Sequence, residues 1–432
     1  TVALAAGATQ TGFGRTGTVD WDTTPKTVTF TAASGSGYFL NTTAAILTVN
    51  LPAGVAGSIV SLADYAATWQ TYNVTVSPNG SDKIGAFNTN ITLNTEGQSV
   101  TLVYVDSTQG WVNTMDSTSN VRGVNPFLAA TVSGACNTLV TVDTDYKVAT
   151  FVGPGTFTVV CAGNPLGSDT VDYMVVGGGG GGGAGNCGNI GHAGGGGGAG
   201  GYRSNYPSSC SGVPVTLGGY PMSVGGGGAY GGPVKGTRGN NGTPSVGLAI
   251  TSTTGGGGGG ASTPVGPGNP GGSGGGGGTQ VSSNPGGTGN SPATPVSQGT
   301  NGGTSSPQQA GGGGGATDAG TTSGDYPTGP VGYGGDGAPN NIVSPGNFYG
   351  GGGGGGSQSA NQPVPLDRTP GGTGGGGYGG RGYNPVTWDG YPGTANTGGG
   401  GGGGGTKTNG GGLGGTGGNG GSGIIAIRYK FQ

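Results

Sequence analysis

The first hundred residues alternate short apolar segments with turn residues, a pattern typical of β-strands. Segments rich in Val, Ile, Leu, Thr and aromatic residues stand at 27–31, 38–41, 46–51, 58–64, 72–76, 90–93 and 99–105. Turn signals rich in Pro and Gly separate them, and no helical periodicity competes with them. The regular spacing predicts an all-β module at 19–115, an antiparallel sandwich or jelly roll.

A second β-rich region covers residues 127–176, with candidate strands at 139–142, 146–152, 155–161 and 170–176. The chain closes on another apolar strand at 424–431. We expect the last strand of the region to pair with this closing strand. Pairing would create a small β-base domain, 127–176 plus 424–432, that brackets everything between. Residues 1–18 then form an N-terminal connector, and the polar residues 116–126 form a linker.

Between these two strands, at 177–423, uninterrupted glycine runs replace the apolar pattern. The runs cover 177–183, 194–198, 225–228, 255–260, 274–278, 311–315, 350–356, 374–377 and 398–405, and the chain contains 118 glycines in all. Such a composition is usual in flexible linkers. The residues between the runs, however, include large aromatic side chains such as Tyr202 and Trp388, which linkers seldom carry. Collagen requires Gly at every third place, and Gly266-Pro267-Gly268 breaks that register.

The remaining interpretation is a bundle of polyglycine-II helices, which are polyproline-II-type helices made of glycine. Such a helix has three residues per turn and makes no internal hydrogen bonds. Its buried amides and carbonyls must therefore bond to neighbouring helices, and only glycine lets the backbones approach closely enough. A central helix needs glycine on every face, as at 398–405, whereas an outer helix can carry side chains toward solvent. Run length should therefore indicate burial.

Charge and hydropathy exclude several function classes. Charged residues make up 7% of the chain and the formal net charge is −3, with 13 Lys plus Arg. No basic stripe could neutralise a phosphate backbone, so we expect no nucleic-acid partner. Apolar stretches such as 46–51 are far shorter than the roughly 20 residues of a membrane span, so we expect no membrane insertion. Because Thr1 is not an initiator Met, we expect a processed N-terminus or a piece of a longer chain.

Four cysteines, Cys136, Cys161, Cys187 and Cys210, can pair in three ways. Pairing of Cys136 with Cys161 and of Cys187 with Cys210 is favoured, which would indicate an oxidising, extracellular setting. The alternative is four unpaired thiols in a particle assembled in the cytosol.

The N-terminal region resembles a β-module that recurs in tail-fibre proteins of marine bacteriophages. The resemblance rests on residues 15–21, 37–43 and 99–106, followed by Gly110-Trp111. It covers about a quarter of the chain. Because many phage fibres carry such modules as trimers, the resemblance implies a homotrimer joined to the rest of a tail fibre.

The C-terminal two thirds resemble the glycine-rich domains of phage tail-fibre tip adhesins. The resemblance rests on the strand 173–176 entering polyglycine, on 196–203, on 214–217 and 222–224, and on the closing 421–429. In that family a sandwich of glycine helices displays variable loops that bind a host surface receptor. The resemblance implies a location in the virion and a bacterial protein or glycan as partner. The segments around Cys187 and Cys210 depart from the family pattern.

If successive helices alternate in direction, the segments between runs collect at two ends, with 184–193 distal and 202–224 at the base. The long segments 317–349 and 378–397 are the best recognition candidates, because Tyr, Trp and Arg dominate binding hot spots. The candidate receptor-binding residues are Tyr326, Tyr333, Phe348, Tyr349, Tyr378, Arg381, Tyr383, Trp388 and Tyr391. The alternative is that these rings cap the bundle or cover its sides.

Catalytic and metal-binding chemistry finds little support in the sequence. His192 is the single histidine, and one histidine makes neither a ligand cluster nor a triad. Alternate aspartates occur at Asp20 and Asp22 and at Asp143 and Asp145, a spacing that more often marks one solvent face than a Ca²⁺ site. We therefore expect a non-enzymatic protein without cofactor or metal.

The sequence thus predicts a receptor-binding phage tail fibre or tip adhesin. Two alternatives stay open. One is an ice-binding protein, since some antifreeze proteins resemble this glycine-helix construction; a flat face of small residues without aromatic rings would favour it. The other is a structural extracellular filament or matrix protein.

Overall fold

The computed structural model describes residues 19–117, 126–165, 167–186, 192–207, 212–232, 236–325, 329–358, 368–382, 388–406 and 414–432. Within these ranges the regular secondary structure is all β, as predicted. None of the described segments is a helix long and apolar enough to cross a membrane. The chain divides into two compact units, Thr1–Gly123 and Val124–Gln432.

The first unit is built from two sheets between which the chain alternates. Its strands are β1 (Asp20–Lys26), β2 (Phe30–Thr31), β3 (Ser36–Leu40), β4 (Leu47–Asn50), β5 (Ile59–Asp64), β6 (Val74–Ser77), β7 (Ile91–Leu93), β8 (Ser99–Tyr104) and β9 (Trp111–Ser117). One sheet has the order β1-β3-β5-β8-β9 and the other the order β2-β4-β6-β7.

The pairing within these sheets corrects the expected antiparallel order. Strands β1, β3 and β5 are parallel, and so are β2, β4 and β6. Antiparallel pairing is confined to β6 with β7, β5 with β8 and β8 with β9. From β1 to β6, each strand of one sheet is followed by a strand of the other, so the chain returns to each sheet in its original direction. The opposite sheet thus supplies the crossover that parallel strands require.

Alternating inward side chains of both sheets form one core. Leu40, Leu62 and Leu102 from the first sheet meet Val49 and Val76 from the second, and each is almost fully buried. The buried carboxylate of Asp64 accepts backbone N–H bonds from residues 66, 68, 69 and 97 at 3.0–3.3 Å.

The second unit begins and ends in a two-sheet base. Its strands are β10 (Leu128–Ser133), β11 (Thr138–Val142), β12 (Tyr146–Phe151), β13 (Gly155–Ala162), β14 (Thr170–Val176), β15 (Tyr202–Ser204), β16 (Val213–Pro214), β17 (Gly218–Met222), β18 (Ser245–Gly247), β19 (Ile250–Ser252), β20 (Ala338–Pro339), β21 (Phe348–Tyr349) and β22 (Ile424–Lys430). Strands β10, β13 and β17 form one sheet. The other has the order β11-β12-β22-β14-β15, and β16 also pairs with β14.

The predicted bracket around the glycine region is confirmed. Strands β14 and β22 are antiparallel neighbours, with Val175 opposite Ile425. Phe157 and Tyr429 meet edge to face between the two sheets, with ring centroids 5.8 Å apart. The base therefore has an ordinary apolar core, and the glycine-rich chain leaves it from β14 and returns to it at β22.

Outside the base, the chain forms extended segments that bond only to one another, and we call these segments rods, named by their residues. Rod 177–185 follows β14 directly. Gly179 donates to Gly421, and three residues later Gly182 donates to Gly418, each at 2.9 Å. Residues three apart bond to the same neighbour, and the residues between them bond to other neighbours. This is the geometry of a helix with three residues per turn.

Rod 177–185 consequently has six neighbours. Its amides donate to rods 194–201, 237–243 and 415–421, and its carbonyls accept from segments 228–231, 255–261 and 401–404. The donor contacts run antiparallel to the rod and the acceptor contacts run parallel to it. All amides of residues 177–185 and the carbonyls of residues 178–185 bond to backbone groups of neighbouring segments. No side chain is involved in these bonds, so this core is made of peptide groups.

Burial follows run length, as predicted. Every glycine in the runs of five or more residues is buried, whereas the four-residue runs 225–228 and 374–377 are partly exposed. Packing also explains the residue type. A Cβ placed on Gly179, Gly197 or Gly400 would lie 2.0–2.1 Å from a carbonyl oxygen of the adjacent rod, so any side chain would force the rods apart.

Rods alternate in direction, away from the base and back. The predicted base position of 202–224 is confirmed, because β15 and β16 pair with β14 and β17 pairs with β13. Rod 177–185 ends, and the next rod begins at residue 192, at the opposite, distal end, as expected for 184–193; residues 187–191 of that segment lie outside the described residues.

One predicted disulfide is wrong. Cys161 lies opposite Ala129 on the β10–β13 ladder, while Cys136 follows Ser133 at the other end of that ladder. About four residues of strand, or roughly 13 Å, separate the two levels, which is beyond the reach of a disulfide. Cys136 is an exposed free thiol. The other predicted pair, Cys187 with Cys210, lies outside the described residues.

Candidate receptor-binding face

The segment predicted as a long recognition loop, 378–397, is built mostly of rods. Rod 375–382 runs away from the base and rod 388–394 returns antiparallel to it. The Tyr391 amide donates to the Tyr378 carbonyl at 2.8 Å. Two of the predicted tyrosines are therefore neighbours at one level of the bundle, and a rigid scaffold positions both.

Glycine spacing determines which side chains of rod 375–382 face solvent. A Cβ on Gly376 or Gly379 would strike rod 350–356, and one on Gly377 or Gly380 would strike rod 388–394, at 1.9–2.2 Å from carbonyl oxygens. The rod has three residues per turn, so one face remains, and it carries Tyr378 and, three residues later, Arg381. Tyr378 is 51% exposed.

Rod 388–394 repeats the arrangement. Gly390 and Gly393 face rod 398–406, where a Cβ would meet carbonyl oxygens at 2.1 and 2.2 Å. Trp388 and Tyr391 share a stripe three residues apart, and Tyr391 is 48% exposed. The stripe on this rod thus lies beside the Tyr378–Arg381 stripe.

Arg368 completes the face and was not predicted. Its guanidinium carbon lies 3.9 Å from the centroid of the Tyr391 ring, and Nη1 donates to the Asp389 carbonyl at 2.9 Å. The Asp389 carboxylate accepts from the Thr416 amide and hydroxyl at 2.7 and 2.9 Å. Stacking and hydrogen bonding therefore hold the Arg368 charge over the tyrosine ring.

We call Arg368, Tyr378, Arg381, Trp388 and Tyr391 the aromatic face. It combines large rings with guanidinium groups on rods whose backbones bond to their neighbours. This arrangement suits non-covalent recognition, because rings held rigidly give contact area at little entropic cost.

Other predicted residues lie elsewhere. Tyr333 is half-buried on rod 331–337. Phe348 and Tyr349 form β21, which pairs with β20. Phe348 is 42% exposed.

Tyr349 is a core residue. Its side chain is 3% exposed and packs against Met174 and Val176 of the base, and burial raises the pKa of its hydroxyl. The Asn347 amide donates to that hydroxyl at 3.2 Å. A ring so enclosed offers no surface to a receptor, which corrects its assignment as a contact residue. Two further candidates, Tyr326 and Tyr383, lie outside the described residues.

His192 lies at the distal start of its rod and is half-buried rather than fully solvated. Burial lowers the pKa of its imidazole, so the ring is neutral at pH 7. Of the aspartates weighed above, Asp22 pairs with Lys26 at 2.7 Å and Asp143 with Arg428 at 3.3 Å. Across the described residues there is no group of three or more His, Cys, Asp or Glu placed to hold a metal ion.

Comparison with known proteins identifies one family. Among curated proteins, none matches the chain. A family model described as glycine-rich domain matches residues 152–430, which is more than half of the chain and runs from the base strands through all the rods to β22. The chain belongs to the glycine-rich domain family.

Proposed function

We propose that the protein is a non-enzymatic receptor-binding protein of a bacteriophage tail fibre. In this proposal the N-terminal β-unit joins the chain to the rest of the fibre, as a homotrimer in the virion. The glycine-rich domain then presents the aromatic face to a protein or glycan on the bacterial surface.

The observation that carries the proposal is the presence of Tyr378 and Tyr391 on adjacent rods, with the Arg368 guanidinium stacked on the Tyr391 ring. About half of each tyrosine side chain is exposed to solvent. Tyr, Trp and Arg are the residues most enriched among binding hot spots. Neighbouring exposed rings on a rigid scaffold, with an arginine stacked on one of them, give contact area at little entropic cost, so their arrangement supports recognition.

The glycine core supports the same conclusion. A bundle held by backbone bonds on all sides leaves the outer side chains free to vary without loss of the fold. Preorganised contacts lower the entropic cost of binding, and several copies on one particle would convert weak individual contacts into avidity. These properties suit an adhesin that must keep one scaffold while its receptor changes.

Adsorption to bacteria tests the proposal. The purified full chain, labelled with a fluorophore, should adsorb to cells of a permissive host and compete with phage for them. Tyr391→Ala should reduce adsorption at least tenfold. Tyr230→Ala is the matched control, because Tyr230 is 41% exposed on a different outer rod, and it should adsorb like the wild type.

Two results would contradict the proposal. One is failure of the wild-type chain to adsorb to any permissive host. The other is equal adsorption by both variants, which would remove the aromatic face from recognition. Thermal hysteresis in solutions of the wild-type chain would instead favour the ice-binding alternative.

A further inference from the structure

The first unit contains a groove that the proposed function does not use. It lies on the sheet β1-β3-β5-β8-β9, on the face opposite the core, and has a volume of about 560 Å³. That volume falls within the range of about 300–1,000 Å³ typical of small-ligand sites. The groove is lined by Trp21, Ser61, Leu62, Ser99, Val100, Thr101, Thr114, Met115, Asp116 and Ser117.

An aromatic wall bounds one side of the groove. Trp21 is 43% exposed, and its ring centroid lies 4.9 Å from that of Phe39. Gly37 pairs with Trp21 across β1 and β3. A Cβ on Gly37 would lie 2.7 Å from the indole ring, so the bare glycine lets the ring lie against the sheet. The indole is therefore held in place although one part of it faces solvent.

The floor and the far side of the groove are different in character. The Ser61 and Thr101 hydroxyls bond to each other at 2.8 Å, and further hydroxyls line the floor from β8 and β9. Met115 forms the opposite wall and is 61% exposed. Asp116 is the charged residue of the lining and accepts from the Gln98 amide at 3.1 Å.

We infer that this groove binds a neutral oligosaccharide. A pyranose ring has an apolar C–H face that stacks on an indole, and a rim of hydroxyls that both donate and accept hydrogen bonds. The groove offers the same combination, an exposed indole beside serine and threonine hydroxyls with donor and acceptor capacity. Neither Lys nor Arg is part of its lining, so an anionic ligand would find no countercharge.

A second copy of the chain fits the groove less well. Symmetric pairing through this face would lay one concave surface on another and leave the hydroxyl floor unfilled. The floor hydroxyls would then gain no hydrogen bond beyond those they make within the sheet. A sugar fills the floor and supplies hydrogen bonds to it.

An array of neutral and acidic bacterial oligosaccharides, probed with the labelled full chain, tests the inference. The wild type should bind at least one neutral oligosaccharide. In titrations with that sugar, Trp21→Ala should weaken affinity at least tenfold and Trp21→Phe by less than Trp21→Ala. Tyr391→Ala, on the aromatic face, should change it less than twofold, so this experiment and the adsorption test can fail separately.

Met115→Ala is the second variant, because its exposed side chain can be removed without disturbing the core, and it should weaken affinity measurably. The inference is overturned if the array shows no binding, or if Trp21→Ala and Met115→Ala bind the sugar as tightly as the wild type. It is also overturned if Trp21→Ala converts an oligomer into a monomer while sugar affinity is unchanged, since the face would then join copies of the chain.

Discussion

The packing of the glycine core predicts that two Gly→Ala substitutions change the stability of the chain in opposite directions. Gly401 lies in a central rod, where a Cβ would be 2.0 Å from the Gly418 carbonyl oxygen, against 3.4–4 Å in ordinary contact. Its amide donates to Gly180 at 2.9 Å, and its carbonyl accepts from Gly197 at 2.7 Å. A methyl group at this position must therefore displace backbone that is already fully bonded.

The magnitude follows from these contacts. Overpacking a tight core costs about 1–3 kcal/mol, and distorting two buried hydrogen bonds costs about 0.5–1.5 kcal/mol each. The lower entropy of the unfolded alanine chain offsets about 0.4–1 kcal/mol. Gly401→Ala should therefore lower the free energy of unfolding by about 1–6 kcal/mol, or the Tm of the second unit by about 2–12 °C at roughly 2 °C per kcal/mol.

Gly226→Ala is the matched control. Gly226 also lies in a glycine run, but a Cβ there would meet only the Thr243 hydroxyl, at 3.8 Å. Its φ is not among the positive values, so alanine can adopt the backbone without strain. The entropic gain alone remains, and stability should rise by about 0.4–1 kcal/mol. Scanning calorimetry of the full chain measures both; equal Tm values for the two variants would refute the reasoning.

Three further predictions concern the β-regions. Cys136→Ser should leave the Tm within about 1 °C of wild type, because Cys136 forms no disulfide. A Tm several degrees lower would indicate that Cys136 does form one. Burial raises the pKa of Asp172 despite Arg428 at 3.9 Å, so the contribution of Asp172 to stability is greatest below the ordinary pKa of 3.8 and is lost as pH rises through the folded pKa. Asp172→Asn should therefore stabilise the chain at pH 7 and lose that advantage at pH 3; urea titrations showing the same difference at both pH values would contradict this. Asp64→Ala should cost about 2–4 kcal/mol in urea unfolding, because it leaves buried amides unsatisfied; a loss below about 0.5 kcal/mol would argue against that network.

The rod architecture could be predicted because glycine runs leave few physical alternatives. A helix without internal hydrogen bonds must bond to its neighbours, and only glycine allows that approach. The link between run length and burial follows from the same constraint. The pairing of β14 with β22 was also predictable, since both strands flank the glycine region and each has an apolar run, 173–176 or 424–427, next to it.

The parallel order of the first unit could not be predicted in the same way. Alternating apolar residues identify strands such as β3 and β5. The same alternation is compatible with pairing to the next strand in a hairpin and with pairing to the strand after that. The segment after β3 looks like the second arm of a hairpin, yet it crosses to the other sheet. Pairing order depends on how the two faces close over one core, which local spacing does not encode.

The aromatic face was predicted in part. Tyr378, Arg381, Trp388 and Tyr391 were identified by residue type, but their segment was expected to be a loop. The glycines at every third position around them were the available signal that they stand on rods. Arg368 was missed because 23 positions separate it from the ring on which it stacks, and the burial of Tyr349 was hidden because a ring in a connecting segment suits a core and a contact surface equally well.

Amide hydrogen exchange, resolved by residue, tests the backbone core most directly. The runs 177–183, 194–198 and 398–405 should be among the slowest-exchanging amides of the chain, with protection comparable to that of β14 and β22. Their glycines are buried, and every amide except that of Gly399, which donates to the Thr397 hydroxyl, is bonded to the backbone of a neighbouring segment. Amides of the outer run 225–228 should be less protected. Exchange of the central runs at the rate of an unstructured glycine chain would contradict the account.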